Sequence, residues 1–466
     1  MRFLLLKTSG GWRSLGVKGN ITNDPSIYPP LGLQYLGSVL EPEGHNVEII
    51  DFGAENVSRE RLRNSLMSSD AVGMGVYMDN YTTVADISKT IKELDPDITQ
   101  IIGGPHCTFL KEQALSDIPY ADICCEGEGE RVIMDIIRFI QGRKNLPSIH
   151  GIHYRENNQI KSGKPPRVID DLDSIPFPAR HLVEKYEYGK FLGCYPFKRK
   201  FTAMISSRGC PFRCRFCSRY DNVIEGYGFR KRSAENVVKE IEEIDGKYGS
   251  VMICDDNFLA DVKRAHKIFD MLIEHGTNID LLIMGARVDS AERELYKKMK
   301  KAGVKFLAFG IESGNQDVLD FYNKKITLQQ IREAVSLGSE MGFLTSATFI
   351  FGAPIETKEH FENTIKFACS LPLDIALFGS LCYQIGADLW VEAVKNKIIS
   401  EDEFMVTADS RRGLGNFTLE ELQTYAEQAF RRFYIRPHFI LSRICRAFLR
   451  RDRSLLKMGL HYFTNS

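Results

Sequence analysis

Cys210, Cys214 and Cys217 stand in the run Ser206-Ser207-Arg208-Gly209-Cys210-Pro211-Phe212-Arg213-Cys214-Arg215-Phe216-Cys217. Three thiolates at C-x3-C-x2-C spacing, in one loop after an apolar segment, can close around a single iron–sulfur cluster. A cubane cluster takes four ligands, usually Cys sulfur. Three leave one iron open, and for a reactive cofactor that is where a substrate or cosubstrate binds, so the three are candidate metal ligands and catalytic residues. Zinc is the alternative, although a structural zinc site takes a second ligand pair at its own spacing, and none follows in the sequence.

The elements that must position this loop come as two series of alternating strands and helices. Short apolar runs at residues 3–6, 47–51, 71–76, 99–102 and 121–125 are separated by amphipathic stretches such as 31–40 and 84–94. That rhythm predicts an α/β fold, with a parallel, Rossmann-like sheet wound on both sides over residues 1–147. Ligands of such sheets bind at the carboxyl ends of the strands. There the chain has Gly73-Met74-Gly75-Val76-Tyr77, Gly103-Gly104-Pro105-His106 and Glu126-Gly127-Glu128-Gly129-Glu130. Glycine lets a backbone approach a ligand closely and take positive φ, so the three loops form a ledge along one edge of the sheet.

Residues 148–200 read as a link between the two series. Residues 148–164 predict a hairpin turning at Asn157-Asn158, and Ile175-Pro176-Phe177-Pro178 lies in an extended, proline-stiffened connector. From Thr202 the rhythm restarts, with apolar runs ending at Ile205, Ile253, Met284, Phe309, Phe351 and Leu381. Ser233 opens one helix, and Thr327-Leu328-Gln329-Gln330 is a capping-box pattern. Residues 201–390 thus predict a partial (β/α)6 barrel, in which the chemistry sits on loops at the carboxyl ends of the strands. The cysteine loop follows its first strand. Residues 391–466 read as helical, with a second capping box at Thr418-Leu419-Glu420-Glu421. Their Arg-rich stretch 431–457 could contact RNA, a membrane or an acidic partner, but the commoner case is a solvated face closing the barrel's open side.

With Phe216 just before its last cysteine, the triad resembles the radical S-adenosylmethionine (SAM) superfamily. The first half, through Tyr28-Pro29-Pro30-Leu31-Gly32-Leu33 and the loops around Gly104 and Gly127, resembles the cobalamin-binding domain of class B radical SAM methyltransferases. The resemblance implies that Pro30, Gly32, Gly75, Tyr77, Gly103, Gly104, Pro105, His106, Glu126, Gly127 and Glu128 hold the corrin and its nucleotide tail. Asp-x-His-x-x-Gly, by which some carriers ligate cobalt, is absent. The cobalt is therefore expected base-off without a His ligand, with Tyr77, Met78 and Asp79 as candidates to face it.

In the barrel the resemblance implies SAM contacts from Asp255, Arg287, Glu312 and Ser313, with adenine on a ledge beside Phe216. A guanidinium suits SAM's carboxylate, and carboxylates suit its ribose hydroxyls, although each charged residue alone would serve as a barrel-mouth ion pair. Gly352-Ala353-Pro354-Ile355-Glu356-Thr357 follows the fifth strand. After the sixth, Tyr383-Gln384-Ile385-Gly386 departs from the family's run, leaving Tyr383 and Gln384 as candidate substrate contacts or plain packing.

The activity implied is C-methylation of an unactivated carbon. One SAM gives a 5′-deoxyadenosyl radical and a second methylates cobalamin, beside a [4Fe-4S] cluster. The substrate is a peptide, a protein or a small molecule, and a ferredoxin or flavodoxin is the expected electron donor. The compact size suits modification of one protein side chain, as by the glutamine C-methyltransferase of methanogens.

Composition sets the limits. Lys plus Arg and Asp plus Glu both number 61, so no global field recruits nucleic acid or a membrane. No stretch reaches the roughly 20 apolar residues of a membrane span. The first eight residues read as a strand rather than a leader. An odd number of cysteines, 11, argues against a disulfide framework and for a reducing cytoplasm.

Two rival activities remain. A methylthiotransferase would hold a second cluster on Cys107, Cys124 and Cys125, but adjacent residues on a strand point to opposite faces, which places Cys124 and Cys125 poorly. A cobalamin-dependent cyclase or rearrangement enzyme would transfer no methyl group. A non-catalytic carrier would leave the triad, Arg287 and Glu312 idle.

Overall fold

The computed structural model describes residues 1–8, 28–190 and 195–441. The last part of the Arg-rich stretch, residues 442–457, lies outside the described residues.

In the first unit, strands β1 (Arg2–Lys7), β2 (Asn46–Asp51), β3 (Ala71–Gly75), β4 (Thr99–Gly103) and β5 (Ile123–Cys125) run parallel. Two antiparallel strands, β6 (Ile152–Glu156) and β7 (Gln159–Ser162), complete a seven-stranded sheet in the order β2-β1-β3-β4-β5-β6-β7. Phe3, Leu4, Leu5 and Leu6 have no exposed surface. A parallel strand covered on both faces reads as a continuous apolar run, not an alternating one, and that is the pattern of this segment.

The hairpin turns through Asn157 and Asn158, whose φ values of 52° and 61° are those of a type I′ turn. It forms the sheet's last two strands and is not a free-standing link. The connector beyond it carries short 3-10 turns at Leu172–Ser174 and Arg180–Val183. This unit reaches Tyr188 and also takes in Tyr220–Tyr227 from further along the chain.

In the second unit, β8 (Phe201–Met204) is followed by two short strands, β9 (Ser207–Arg208) and β10 (Arg230–Lys231), paired antiparallel. Then come β11 (Ser250–Ile253), β12 (Asp280–Ala286), β13 (Val304–Glu312), β14 (Leu344–Phe351) and β15 (Ile375–Ser380). With β8 they make a parallel six-stranded sheet in the order β15-β14-β13-β12-β11-β8, the partial barrel.

One face of β13–β15, with Leu307, Phe309, Ala347, Phe349, Ala376 and Phe378, is buried in the core beneath the helices. On the other face Ala308, Gly310, Ile350 and Gly379 are half-buried, while Thr348 and Leu377 are exposed, so the inner wall is open. Ser233 caps its helix by accepting from Asn236 N at 3.1 Å, and the capping boxes at Thr327 and Thr418 both form.

The helix Leu419–Tyr434 lies against β15, and the Tyr434 hydroxyl accepts from Ala376 N (3.0 Å) and donates to Ala376 O (3.1 Å). The exposed edge of the sheet is thereby covered. Among the described residues no helix is long and apolar enough to cross a membrane.

Candidate active site

The chain leaving β8 is gripped from behind by buried charge. Asp255 accepts from Ser206 N, Ser206 Oγ and Ser207 Oγ, each at 2.6 Å. Arg264 donates to Ser206 O at 2.8 Å and Ser206 Oγ at 2.9 Å, and Arg232 donates to Ile205 O at 2.8 Å. Burial raises the Asp255 carboxyl pKa, while the serines and Arg264 pull it down. Through these bonds to Ser206 and Ser207, Asp255 braces the loop. Gly209 then turns the chain at φ +76°, where an added Cβ would lie 2.9 Å from Gly228 O; only glycine fits there.

Cys214 is buried, Cys210 half-buried and Cys217 exposed, with Cys217 N donating to Cys214 O at 3.1 Å. Desolvation raises the Cys210 thiol. It pushes Cys217 up to about 12, helped by Cys214 and Asp256; Cys217 touches solvent, but the protein crowded around its sulfur dominates. Among the described residues no three Cys, His, Asp or Glu side chains converge on a single ion; a cubane does not require that, because its thiolates bind different irons. In the first unit, Cys107 and Cys124 have no exposed surface and Cys125 has 7%. The Cys107 and Cys124 thiols are packed against protein on all sides.

Phe216 packs edge-on against Tyr322, ring centroids 5.0 Å apart. Arg287 directs Nε (3.0 Å) and Nη2 (2.9 Å) to Asp289, and Nη2 to Lys324 O (2.8 Å). Glu312 accepts from Lys324 Nζ at 2.8 Å and Thr348 Oγ1 at 3.0 Å. Its φ of +70°, at a register shift between β13 and β14, costs on the order of 1–3 kcal/mol and is a conformation that clusters at functional sites. Ser313 is tied to Thr364 and Asn315 and has no exposed surface, so it too is internal. Arg287 and Glu312 are thus ion-paired at the barrel mouth, with Asp289 and Lys324 respectively.

Three further residues belong to this mouth. Asp256 reaches solvent, but the protein crowded around its carboxyl, and then Asp255, raise its pKa. Asn257 is buried with neither amide atom hydrogen-bonded, which leaves a donor and an acceptor for a ligand. Lys324 carried no signal in the sequence: in Asn323-Lys324-Lys325 it reads as an exposed loop lysine.

Beyond the sixth strand the expectation also changes. Cys382–Gln384 pairs antiparallel with Met405–Thr407, and this ribbon places Tyr383 in the hydrophobic core at 4% exposure. Tyr383 is packing; Gln384, half-buried, pairs with Met405.

The ledge of the first unit is built from backbone. Gly104 takes φ +119°, and a Cβ there would lie 2.7 Å from Val76 O, so this glycine serves the close approach of two loop segments. Gly103 lies opposite Cys125, and Pro105 opens the helix Pro105–Leu110, where its missing N–H costs nothing. His106 faces inward. It has no exposed surface, its Nε2 lies 3.0 Å from Asp117 Oδ2, and its ring stacks on Tyr81 at 5.0 Å.

Glu126 pairs with Lys111 (3.3 Å) and His153 (3.2 Å), and Glu128 accepts from Ile169 N at 2.6 Å. Gly127 donates its N–H to Thr108 Oγ1 at 3.0 Å, and Pro30 is buried before the helix Leu31–Leu40. These residues support the ledge from inside. What stays open is Gly32, with nothing within 4 Å of an added Cβ; Gly75, with only Tyr77 at 3.9 Å; and Tyr77 itself, 53% exposed. Asn80 fixes their loop by accepting from Tyr77 N (2.7 Å) and donating to Gly75 O (3.2 Å). A smooth backbone surface with one projecting tyrosine fits a flat, bulky macrocycle.

Comparison with known proteins agrees with both halves. Residues 17–137 match the B12 binding domain, and residues 204–368 match the Radical SAM superfamily. The chain is 32% identical over 425 residues to an uncharacterized methyltransferase, PH0819, of Pyrococcus horikoshii, covering 89% of this chain and 90% of the relative. It is 28% identical to the anaerobic magnesium-protoporphyrin IX monomethyl ester cyclase of Cereibacter sphaeroides over 75% of this chain, but spans only 58% of that protein. Among solved structures, the cobalamin-dependent SAM radical enzyme OxsB with aqua-cobalamin and SAM bound shares the fold, with TM-score 0.70 and 20% identity, covering 91% of this chain and 66% of that one. The chain belongs to the cobalamin-dependent, class B radical SAM methyltransferases, enzymes whose cofactors are a [4Fe-4S] cluster, SAM and cobalamin.

Proposed function

We propose that Cys210, Cys214 and Cys217 hold the [4Fe-4S] cluster, that its fourth iron takes SAM, and that the enzyme methylates an unactivated carbon of its substrate. The observation that carries this reading is the cysteine loop at the carboxyl end of β8, braced by Asp255 and Arg264. When bound, the cluster supplies an electron for SAM cleavage and cobalamin supplies a methyl group that a carbon radical can accept, since an unactivated carbon is too weak a nucleophile to attack SAM directly.

The chain's own residues position and enclose. Asp256 and Asn257 offer polar groups to SAM beside the loop. The inner wall of β13–β15 receives the substrate on Ala308, Gly310, Thr348 and Leu377. A ferredoxin or flavodoxin is the electron donor in this reading.

Methyl transfer is favoured over cyclisation because the chain spans 90% of the relative named a methyltransferase and 58% of the cyclase. The test is anaerobic incubation with candidate peptides and small molecules and SAM labelled in its methyl group. The reading expects a product heavier by one labelled methyl on carbon in the mass spectrum; a rearranged, unmethylated product would move the enzyme to the cyclase reading.

A further inference from the structure

Each spacer of the cysteine motif contains a phenylalanine, and each of these rings carries a cation. The Arg287 guanidinium lies 3.6 Å from the Phe212 centroid, and the Lys324 ammonium lies 5.6 Å from that of Phe216, both within cation–π range. The two are linked, since Arg287 Nη2 donates to Lys324 O. The segment carrying Lys324 is strapped along the cysteine loop. Asn323 Nδ2 donates to Arg213 O at 2.7 Å, Arg215 N to Tyr322 O at 3.0 Å, and Arg215 Nη1 to Phe321 O at 3.2 Å. Space for the ammonium comes from Gly310, where an added Cβ would lie 2.9 Å from Lys324 Nζ. Lys324 is 7% exposed. Buried lysines are rare and paired; this one pairs with Glu312 at 2.8 Å, and a merely space-filling role would need no charge at all.

We propose that Lys324, seconded by Arg287, is an electrostatic positioning residue that sets the reduction potential of the cluster. The inference rests on the reading that Cys210, Cys214 and Cys217 hold that cluster. When a one-electron donor reduces it, the cluster gains one unit of negative charge, and a fixed, buried cation stabilises the reduced form. Lys324 therefore raises the potential toward the reach of the donor. Glu312, paired with the ammonium at 2.8 Å, opposes that field in part.

The test is a redox titration of the anaerobically reconstituted full chain with dithionite, read by electron paramagnetic resonance (EPR), with iron counted first in every variant. Lys324→Met is expected to lower the ratio of reduced to oxidised cluster about tenfold at fixed potential, a shift of about 59 mV for a one-electron couple. Glu312→Gln is expected to move the potential in the opposite direction, and Lys324→Arg to leave it near wild type. Should Lys324→Met fail to fold, the upward shift in Glu312→Gln still decides. Unchanged potentials, or shifts of the same sign in Lys324→Met and Glu312→Gln, would overturn the proposal, since a structural role alone gives no opposed pair. If the Ala variants of the triad keep their iron, the ligand assignment itself fails, and that outcome is visible separately in the iron count.

Discussion

The cysteine loop and the glycine ledge are built in opposite ways. The loop is a side-chain construction. Asp255, Arg264 and Arg232 grip its entry, cations sit on Phe212 and Phe216, and the thiols stand at the end of one strand. The ledge is a backbone construction, in which glycines remove bulk and the charged residues nearby, Glu126, Glu128 and His106, point into the protein. A site that must bind small, charged, reacting atoms uses side chains; one that must cradle a large planar ring uses the absence of them. Substitutions should therefore act on the loop through lost groups and on the ledge through added ones.

The largest effect expected is at the thiols. Cys210→Ala, Cys214→Ala and Cys217→Ala should each abolish cluster absorbance and SAM cleavage. Cys107→Ala and Cys124→Ala should keep both, because those sulfurs are sealed inside the first unit. Iron lost from the latter pair would break the distinction between the two regions.

Next comes the brace. Asp255→Ala leaves Arg264 buried without its carboxylate, 3.8 Å away in the native protein, and should cost about 3–5 kcal/mol in urea unfolding, as breaking a buried ion pair does. Its counterpart on the ledge is Glu128→Gln, which retains an acceptor for Ile169 N and should change stability by about 1 kcal/mol or less.

The ledge itself responds to added atoms. Gly104→Ala should destabilise the first unit by about 1–3 kcal/mol and weaken cobalamin binding, since φ is +119° and Val76 O blocks the methyl. Gly32→Ala meets open space and should leave stability unchanged; any loss of cobalamin there would mark direct contact with the ring.

This contrast also explains what the sequence could show. Strands 3–6 and 71–76 were legible because a doubly covered parallel strand is apolar throughout, and the turn at Asn157-Asn158 because these residues tolerate positive φ. The triad was legible because its chemistry needs particular residue types at a fixed spacing. The choice between Asp255 and Asp256 was not: adjacent residues at a strand end face opposite ways, and only the fold decides which one meets Ser206. Lys324 was hidden because its burial depends on Gly310 and Glu312, more than ten residues earlier. Which of its two roles Tyr383 takes was not legible, because its partner strand, Met405–Thr407, lies beyond the reach of local pattern.

The smallest effect expected is spectroscopic. With His106 turned inward, bound cob(II)alamin should give a base-off EPR spectrum without nitrogen splitting from an axial His, unaltered in position by His106→Ala. Tyr77→Phe should perturb it modestly, because Tyr77 projects from the ledge.

The account as a whole requires both regions to act in one turnover, and the SAM-derived products report that directly. With substrate, reductant and cobalamin present, 5′-deoxyadenosine and S-adenosylhomocysteine should accumulate in a ratio of about one to one, alongside a methylated product. S-adenosylhomocysteine alone, or 5′-deoxyadenosine alone with an unmethylated product, would contradict it.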